Sequence, residues 1–359
     1  MKESVFAFEH RVIDPKTLGT HNDVCLIADI NGDGLNDILI GGKHGEDNVV
    51  WYENPTWRRH VIGTAHLEAG GVLFDLTGSG RLDLVAGNPI DVRAGQTNTD
   101  LYWFECPDDP RARWIRHTIT SRFCKYHHQA VGDVDGDGEP EILFASQGAK
   151  VLGYFDIPAD PRSSPWPDTC CHLIAEGIEV EGLAVADLDG DGQNEVVAGP
   201  SFFKRNPAGS WSATPLAPGL HLDPRLCLAV GDLDGDGRLD VVLSEGELDR
   251  GRVLWVRNPT WEGHLLADDF FHPHSVGIAD FDGDGKLDIF VGEMGLRRNP
   301  HPREVIFHNE GTRFSPHVVG NQPTHCAAVG DLDGDGRPDI AGKPYDSGND
   351  QVDIWLNRR

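Results

Sequence analysis

Seven times the chain sets oxygen-bearing side chains at fixed intervals on a glycine turn. The strings are DINGDGLND from Asp29, DLTGSGRLD from Asp75, DVDGDGEPE from Asp133, DLDGDGQNE from Asp187, DLDGDGRLD from Asp232, DFDGDGKLD from Asp280 and DLDGDGRPD from Asp331. Side chains at positions 1, 3, 5 and 9 can turn toward one point, and glycine at positions 4 and 6 permits the sharp turn. That pattern suits a hard divalent cation, and calcium takes six to eight oxygens at about 2.3–2.6 Å. The expected ligand sets are Asp29, Asn31, Asp33 and Asp37; Asp133, Asp135, Asp137 and Glu141; Asp187, Asp189, Asp191 and Glu195; Asp232, Asp234, Asp236 and Asp240; Asp280, Asp282, Asp284 and Asp288; and Asp331, Asp333, Asp335 and Asp339. The second loop has Thr77 and Ser79 in place of acids, and weak or no binding is expected there. As plain solvated turns, three or four acids within nine residues would repel one another. An EF-hand opens similarly but needs flanking helices and a Glu at position 12. Here the flanks read as strands and the last acid stands at position 9.

The bulk charge agrees. A formal net charge of -27 argues against nucleic acid or anionic lipid as partner. Six calcium ions would reduce it to about -15. No run of 18 apolar residues could span a membrane. The opening MKESVFAFEHRVID lacks the basic-then-apolar pattern of a secretory signal. Seven cysteines without paired spacing read as reduced thiols. A cytoplasmic location is expected, or secretion if a signal was trimmed.

The acidic strings begin 46, 58, 54, 45, 48 and 51 residues apart, a period that fits one four-stranded blade per repeat. In each repeat a short apolar strand precedes the loop (VCLIAD, VGIAD) and a second follows it (DILIGG, DVVLSE). A third is aromatic (VVWYENP, VLWVRNP), and a fourth reads near W/F-x-x-H (WRRHVI, WEGHLL). These compositions are those of β-strands, and no sustained helical period occurs. The last repeat stops at its third strand, VDIWLNRR, while FEHRVI at residues 8–13 matches the fourth. The expectation is one all-β domain over residues 1–359: a seven-bladed β-propeller of four-stranded blades, closed by the N-terminal strand pairing into the last blade. Closure removes an exposed edge.

These repeats resemble the FG-GAP/VCBS family of integrin-like propellers, and the resemblance covers the whole chain. It implies a propeller whose calcium loops join the first and second strands of each blade, lie on one face and are structural. It implies little about activity.

Function in propellers gathers at the opposite mouth, where the inner strands begin. Six residues ahead of the seven loops stand Asp23, Ala69, His127, Glu181, Leu226, His274 and His325. Ring symmetry should bring His127, His274, His325, Glu181 and Asp23 into one central pocket, beside His128, Tyr126, Glu179 and Arg225. Such a set suits Zn²⁺ or Mn²⁺ or metal-free acid–base chemistry; the bland alternative is that these groups only hydrogen-bond mouth loops. Loops between second and third strands would add His44, Glu46, Arg93, Lys150, Glu245, Arg250, Glu293, Arg297, Arg298, Lys343 and Tyr345, and the longer NPIDVRAGQTNTD a wall or lid. His10, His60, His117, His172, His264 and His317 recur on the outer strand, where a structural role is expected.

Two functional readings follow. The His-rich mouth resembles that of the propeller of aldos-2-ulose dehydratases and, more distantly, of propeller-fold polysaccharide lyases. Both resemblances imply β-elimination on a sugar or uronic-acid ligand, with a His (His127, His128, His274 or His325) or Tyr345 as base and a bound metal, Arg225 or Lys343 as charge stabiliser. The other reading is a non-catalytic carbohydrate- or protein-binding, lectin-like propeller. Its sites would repeat around the ring, whereas the mouth residues do not.

Overall fold

A computed structural model describes residues 5–89, 96–296, 299, 301–311, 313–345 and 350–359. It contains seven antiparallel four-stranded sheets. Blade 1 runs Thr20–Ala28, Asp37–His44, Val49–Glu53 and Arg58–Gly63. Blades 2 to 6 repeat this order, and their first strands are Val72–Phe74, Tyr126–Gly132, Leu183–Ala186, Cys227–Gly231 and Pro273–Ala279. Blade 7 takes Ala328–Gly330, Asp339–Gly342 and Val352–Asn357 from the C-terminal end and Phe8–Asp14 from the N-terminal end. In that closing pair His10 lies opposite Trp355. The chain is therefore the expected seven-bladed propeller with the expected closure.

First strands of neighbouring blades touch all the way around the ring, so they line its axis. The second strands lie between blades and are buried on both faces, as in DILIGG and EILFAS. This explains their continuous apolar runs in place of polar alternation. There is no single core; apolar clusters fill the spaces between blades. Trp51 and Leu39 of blade 1 meet Leu84 and Tyr102 of blade 2, while Ile38 and Tyr52 face Ile354 and Leu356 of blade 7.

Each acidic string bridges first and second strands, and its position-9 acid opens the second strand. In every loop one oxygen of that acid accepts the amide of position 2, from Ile30 to Leu332. In blades 1, 5, 6 and 7 the other oxygen accepts the amide of an Asn ending the third strand, as Asp37 does from Asn54 at 2.8 Å. The side-chain amides of these Asn residues donate to a loop carbonyl of the preceding blade, as Asn54 does to Leu332. The position-1 acid caps the turn: Asp29 accepts the amides of Gly32 and Gly34 at 2.8 and 2.9 Å. Both glycines have positive φ, which a side chain would resist.

Outer-strand histidines pack against the aromatic third strands. His60 stacks on Trp51 at 4.7 Å and His117 on Trp103 at 4.5 Å, and each bonds a carboxylate, Glu53 or Glu105.

Candidate functional site

At the end of the ring where the first strands begin, opposite the acidic loops, lies a cavity of about 270 Å³. Its walls include Asp23, Ala69, His127, Glu181, His274 and His325, six of the seven symmetry-related positions. Leu226, the seventh, is buried between blades 4 and 5. Arg225, Glu179 and Tyr345 also line the cavity.

Ligand atoms of His127, Glu181 and His274 lie within 4.8 Å of one another, as do those of His274, His325 and Cys326. Glu181 lies 3.5 Å from His127 Nε2 and 3.8 Å from His274 Nε2. Gln147 donates a short hydrogen bond to Glu181. His274 Nε2 also meets Glu247 at 3.2 Å. The His274 and His325 rings are 4.4 Å apart, and Tyr345 lies 4.7 Å beyond His325. His325 Nδ1 faces Asp23 at 3.3 Å, and Lys43 joins Asp23 at 2.7 Å to Glu68 at 2.8 Å.

Several neighbours lie elsewhere. The His128 side chain drops into the channel beneath, one position further along its strand, among Cys25, Cys227 and Cys326; its Nδ1 still meets that of His127 at 2.9 Å. Tyr126 belongs to the core between blades 2 and 3. Lys343 is fully buried and donates to the His325 carbonyl, behind the cavity wall. The Arg225 guanidinium is held by both oxygens of Asp223. Glu245 and Glu293 are buried partners of Arg252 and Arg303. His44 stands edge-on to His21, and Lys150 pairs with Glu179 at 3.4 Å. Arg93, Arg297, Arg298 and residues 90–95 of the long insertion lie outside the described residues.

The sequence reading missed Lys43, Glu68, Lys125, Gln147, Glu247, Met294 and Leu296, which also line the cavity. Lys43, Gln147, Met294 and Tyr345 share one signal: each stands six residues after its loop's position-9 acid.

Burial sets the protonation states. It holds His127 and His325 well below the usual histidine value, with neighbouring cations adding to the effect, and lowers His128 to about 4. Burial also opposes charge on His274, but the Cys227 and Cys326 sulfurs and the Glu247 carboxylate outweigh it and raise that ring well above normal. The His274 hydrogen bond holds Glu247 down at about 2. Burial lifts Glu181 to about 7 and Asp23 to about 6. One cavity thus gathers imidazoles whose affinities for the proton are pushed in opposite directions, beside the Lys43 side chain.

On the opposite face, oxygens of Asp133, Asp135, Asp137 and Glu141 lie within 4.8 Å of one another, a donor set that fits calcium. In the second loop Ser79 and Gly80 amides bond Asp75, and Thr77 and Ser79 bring no charge. The sixth loop adds a nitrogen: His308 groups with Asp282 and Asp284.

The ring of acidic-turn blades defines the class, an integrin-like seven-bladed propeller. The chain belongs to the FG-GAP-like repeat family, whose model matches residues 29–86, 133–198 and 232–291. Over 171 residues, 43% of the chain, it is 31% identical to aldos-2-ulose dehydratase of Phanerodontia chrysosporium, and the match spans 18% of that protein's length. The fold is similar to that of BBS1N, crystallised in complex with ARL6DN, with a TM-score of 0.61 and 12% identity over 99% of this chain and 98% of that one. It is also similar to the V. cholerae biofilm matrix protein Bap1, with a TM-score of 0.56 and 11% identity over 98% and 92% of the two chains.

Proposed function

We propose that the mouth pocket catalyses β-elimination on a sugar or uronic-acid substrate, as a carbohydrate dehydratase or lyase. The observation that carries this reading is the pairing of two buried imidazoles in one cavity, His325 and His274, 4.4 Å apart, with Glu247 3.2 Å from His274 Nε2. Similarity to a dehydratase over part of the chain adds support.

His325 Nδ1 lies between Asp23 Oδ1 at 3.3 Å and Lys343 Nζ at 3.4 Å; in the proposed reaction its proton sits on Nδ1, toward Asp23, and Nε2 is the base. In the proposed reaction this nitrogen takes the proton from the carbon beside the substrate carbonyl. Lys43 and the Tyr345 hydroxyl steady the oxygen that gains negative charge. The carbon–oxygen bond at the β position then breaks, and His274 gives its proton to the departing oxygen. The base has gained one proton and the acid lost one, and exchange with water restores both. A divalent ion such as Zn²⁺ or Mn²⁺ could instead be held by His127, Glu181 and a deprotonated His274; it would supply Lewis-acid polarisation of the carbonyl, and His274 would then not serve as the acid. The acidic loops across the ring are proposed to bind calcium and to serve stability alone.

The test follows unsaturated or dehydrated products from keto-sugars and uronic-acid glycosides. Replacing His325 or His274 by Ala should lower turnover by roughly 10²-fold or more. Binding of a glycan without turnover, untouched by these substitutions, would establish the lectin-like alternative instead.

A further inference from the structure

We infer that the fourth acidic loop carries its own cation, the ammonium of Lys204, and binds no calcium ion. The inference rests on the reading that the intact acidic loops bind calcium. Lys204 Nζ lies against Asp189, 2.7 Å from Asp191 and 3.2 Å from Glu195. These are positions 3, 5 and 9 of one loop, three of the side chains an ion there would need.

The register explains the convergence. On the third strand Phe203 pairs with Val196, so the next residue, Lys204, stands across from Glu195. The matching residue is Glu53 in blade 1, Glu105 in blade 2 and Asp156 in blade 3. It is Arg257 in blade 5, His308 in blade 6 and Leu356 in blade 7. An acid here leaves a loop needing positive charge, whereas a lysine supplies it. In blades 1, 2, 5, 6 and 7 the position-9 oxygen in question accepts an amide from the end of the third strand. Those five acids are Asp; in blades 3 and 4 position 9 is a longer Glu, for which only the position-2 amide bond is seen among the described residues, and in blade 4 the second oxygen, Glu195 Oε1, meets Lys204.

Other basic residues near loops make lesser contacts. Arg238, Lys286 and Arg337 each pair with the position-5 acid of their own loop. Arg257 pairs with Asp234. Lys204 alone among these joins three loop carboxylates, one of them buried. Calcium entering this loop would have to expel an ammonium tethered beside it, at high effective concentration.

The test counts bound calcium per chain by elemental analysis at fixed free calcium, and follows melting in calcium and in chelator. In otherwise wild-type protein, Asp189→Asn should leave the calcium count unchanged, whereas Asp135→Asn should lower it by one. Lys204→Met, which keeps the apolar stem, should gain one ion. Lys204→Glu, which supplies the acid of the first three blades, should gain one as well. In chelator Lys204→Met should melt a few degrees below wild type, because the loop acids lose their counter-charge, and added calcium should close that gap. Loss of one ion on Asp189→Asn would overturn the inference. So would a Lys204→Met protein that melts like wild type in chelator. If wild type binds no calcium and Asp135→Asn changes nothing, the calcium reading itself falls, and the melt in chelator still decides whether Lys204 neutralises the loop.

Discussion

Asp23 Oδ1 faces His325 Nδ1 at 3.3 Å, although one residue belongs to the first blade and the other precedes the first strand of the seventh. Only ring closure brings them together. Asp23 is fully buried and is held by Lys43 at 2.7 Å. In the proposed reaction it is a positioning residue that, against the Lys343 ammonium 3.4 Å from the same nitrogen, favours the proton on Nδ1. Asp23→Asn should lower kcat by about 10²-fold, with a smaller change in KM. A kcat near that of wild type would remove Asp23 from the reaction.

Calcium bound at the proposed sites of the native state alone would stabilise it by mass action, by about 2.7 kcal/mol per site at a hundred times Kd. Chelation should therefore lower the melting temperature by many degrees. Asp135→Ala, in a loop whose four acids converge, should lose one ion and part of that stabilisation. Thr77→Ala should lose neither, because its loop already lacks two acids. Elemental analysis alongside calorimetry would check both.

Much of this was legible because the fold repeats. Seven copies fixed the blade count, FEHRVI disclosed the closure, and symmetry pointed to Asp23, His127, Glu181, His274 and His325. The same symmetry relates Lys43, Gln147 and Met294 to Tyr345, but side chains so unlike carry no common pattern in the sequence. Glu68, Lys125 and Glu247 come from connections of unequal length, where no period exists to read. The Lys204 contact was hidden for another reason: the acidic motif lies along nine consecutive residues, while its cation arrives from a different strand through pairing register. Lys343 shows the converse: its place in a mouth loop made it a candidate charge stabiliser, whereas the side chain is buried behind His325.

The outer-strand histidines give a control. His60 is buried, stacks on Trp51 and bonds Glu53 at 2.8 Å. His60→Ala should cost about 1–2 kcal/mol in chemical denaturation, the loss of one aromatic contact and one charge-assisted hydrogen bond. Turnover should be unchanged, because the blade's outer edge is remote from the mouth.

Glu304, at the start of a third strand in blade 6, is buried. Loss of hydration raises its pKa from 4.5 to about 9, and Asp353 adds to the shift. Across that interval the folded state keeps a proton that the unfolded chain releases. The contribution is therefore full below about pH 4.5 and is lost as the pH rises toward 9. Glu304→Gln should flatten this decline, giving the variant an advantage over wild type that is at least about 1 kcal/mol larger at pH 8 than at pH 5. Urea titrations at the two pH values measure it, and equal differences at both would show that Glu304 is not the group responsible.

The closing strand yields the last prediction. Phe8–Asp14 supplies the outer edge of blade 7 and pairs with Val352–Asn357 along its length. The His10 ring lies tilted against Trp355 at 5.1 Å and bonds the buried Asp353 at 2.7 Å. Deleting residues 1–14 would uncover a strand whose six residues are all buried and leave Asp353 without that partner. A flat apolar edge of this kind recruits another strand. The truncated protein should melt roughly 10 °C lower, taking about 2–4 °C per kcal/mol for large domains, and should self-associate in light scattering. Adding residues 5–14 as a separate peptide should restore part of the melting temperature by refilling the edge. The same peptide with His10→Ala should restore less, because it lacks both the ring contact and the bond to Asp353. If the truncated chain stays monomeric and melts like the full chain, blade 7 is complete without its N-terminal strand and ring closure contributes nothing measurable to stability.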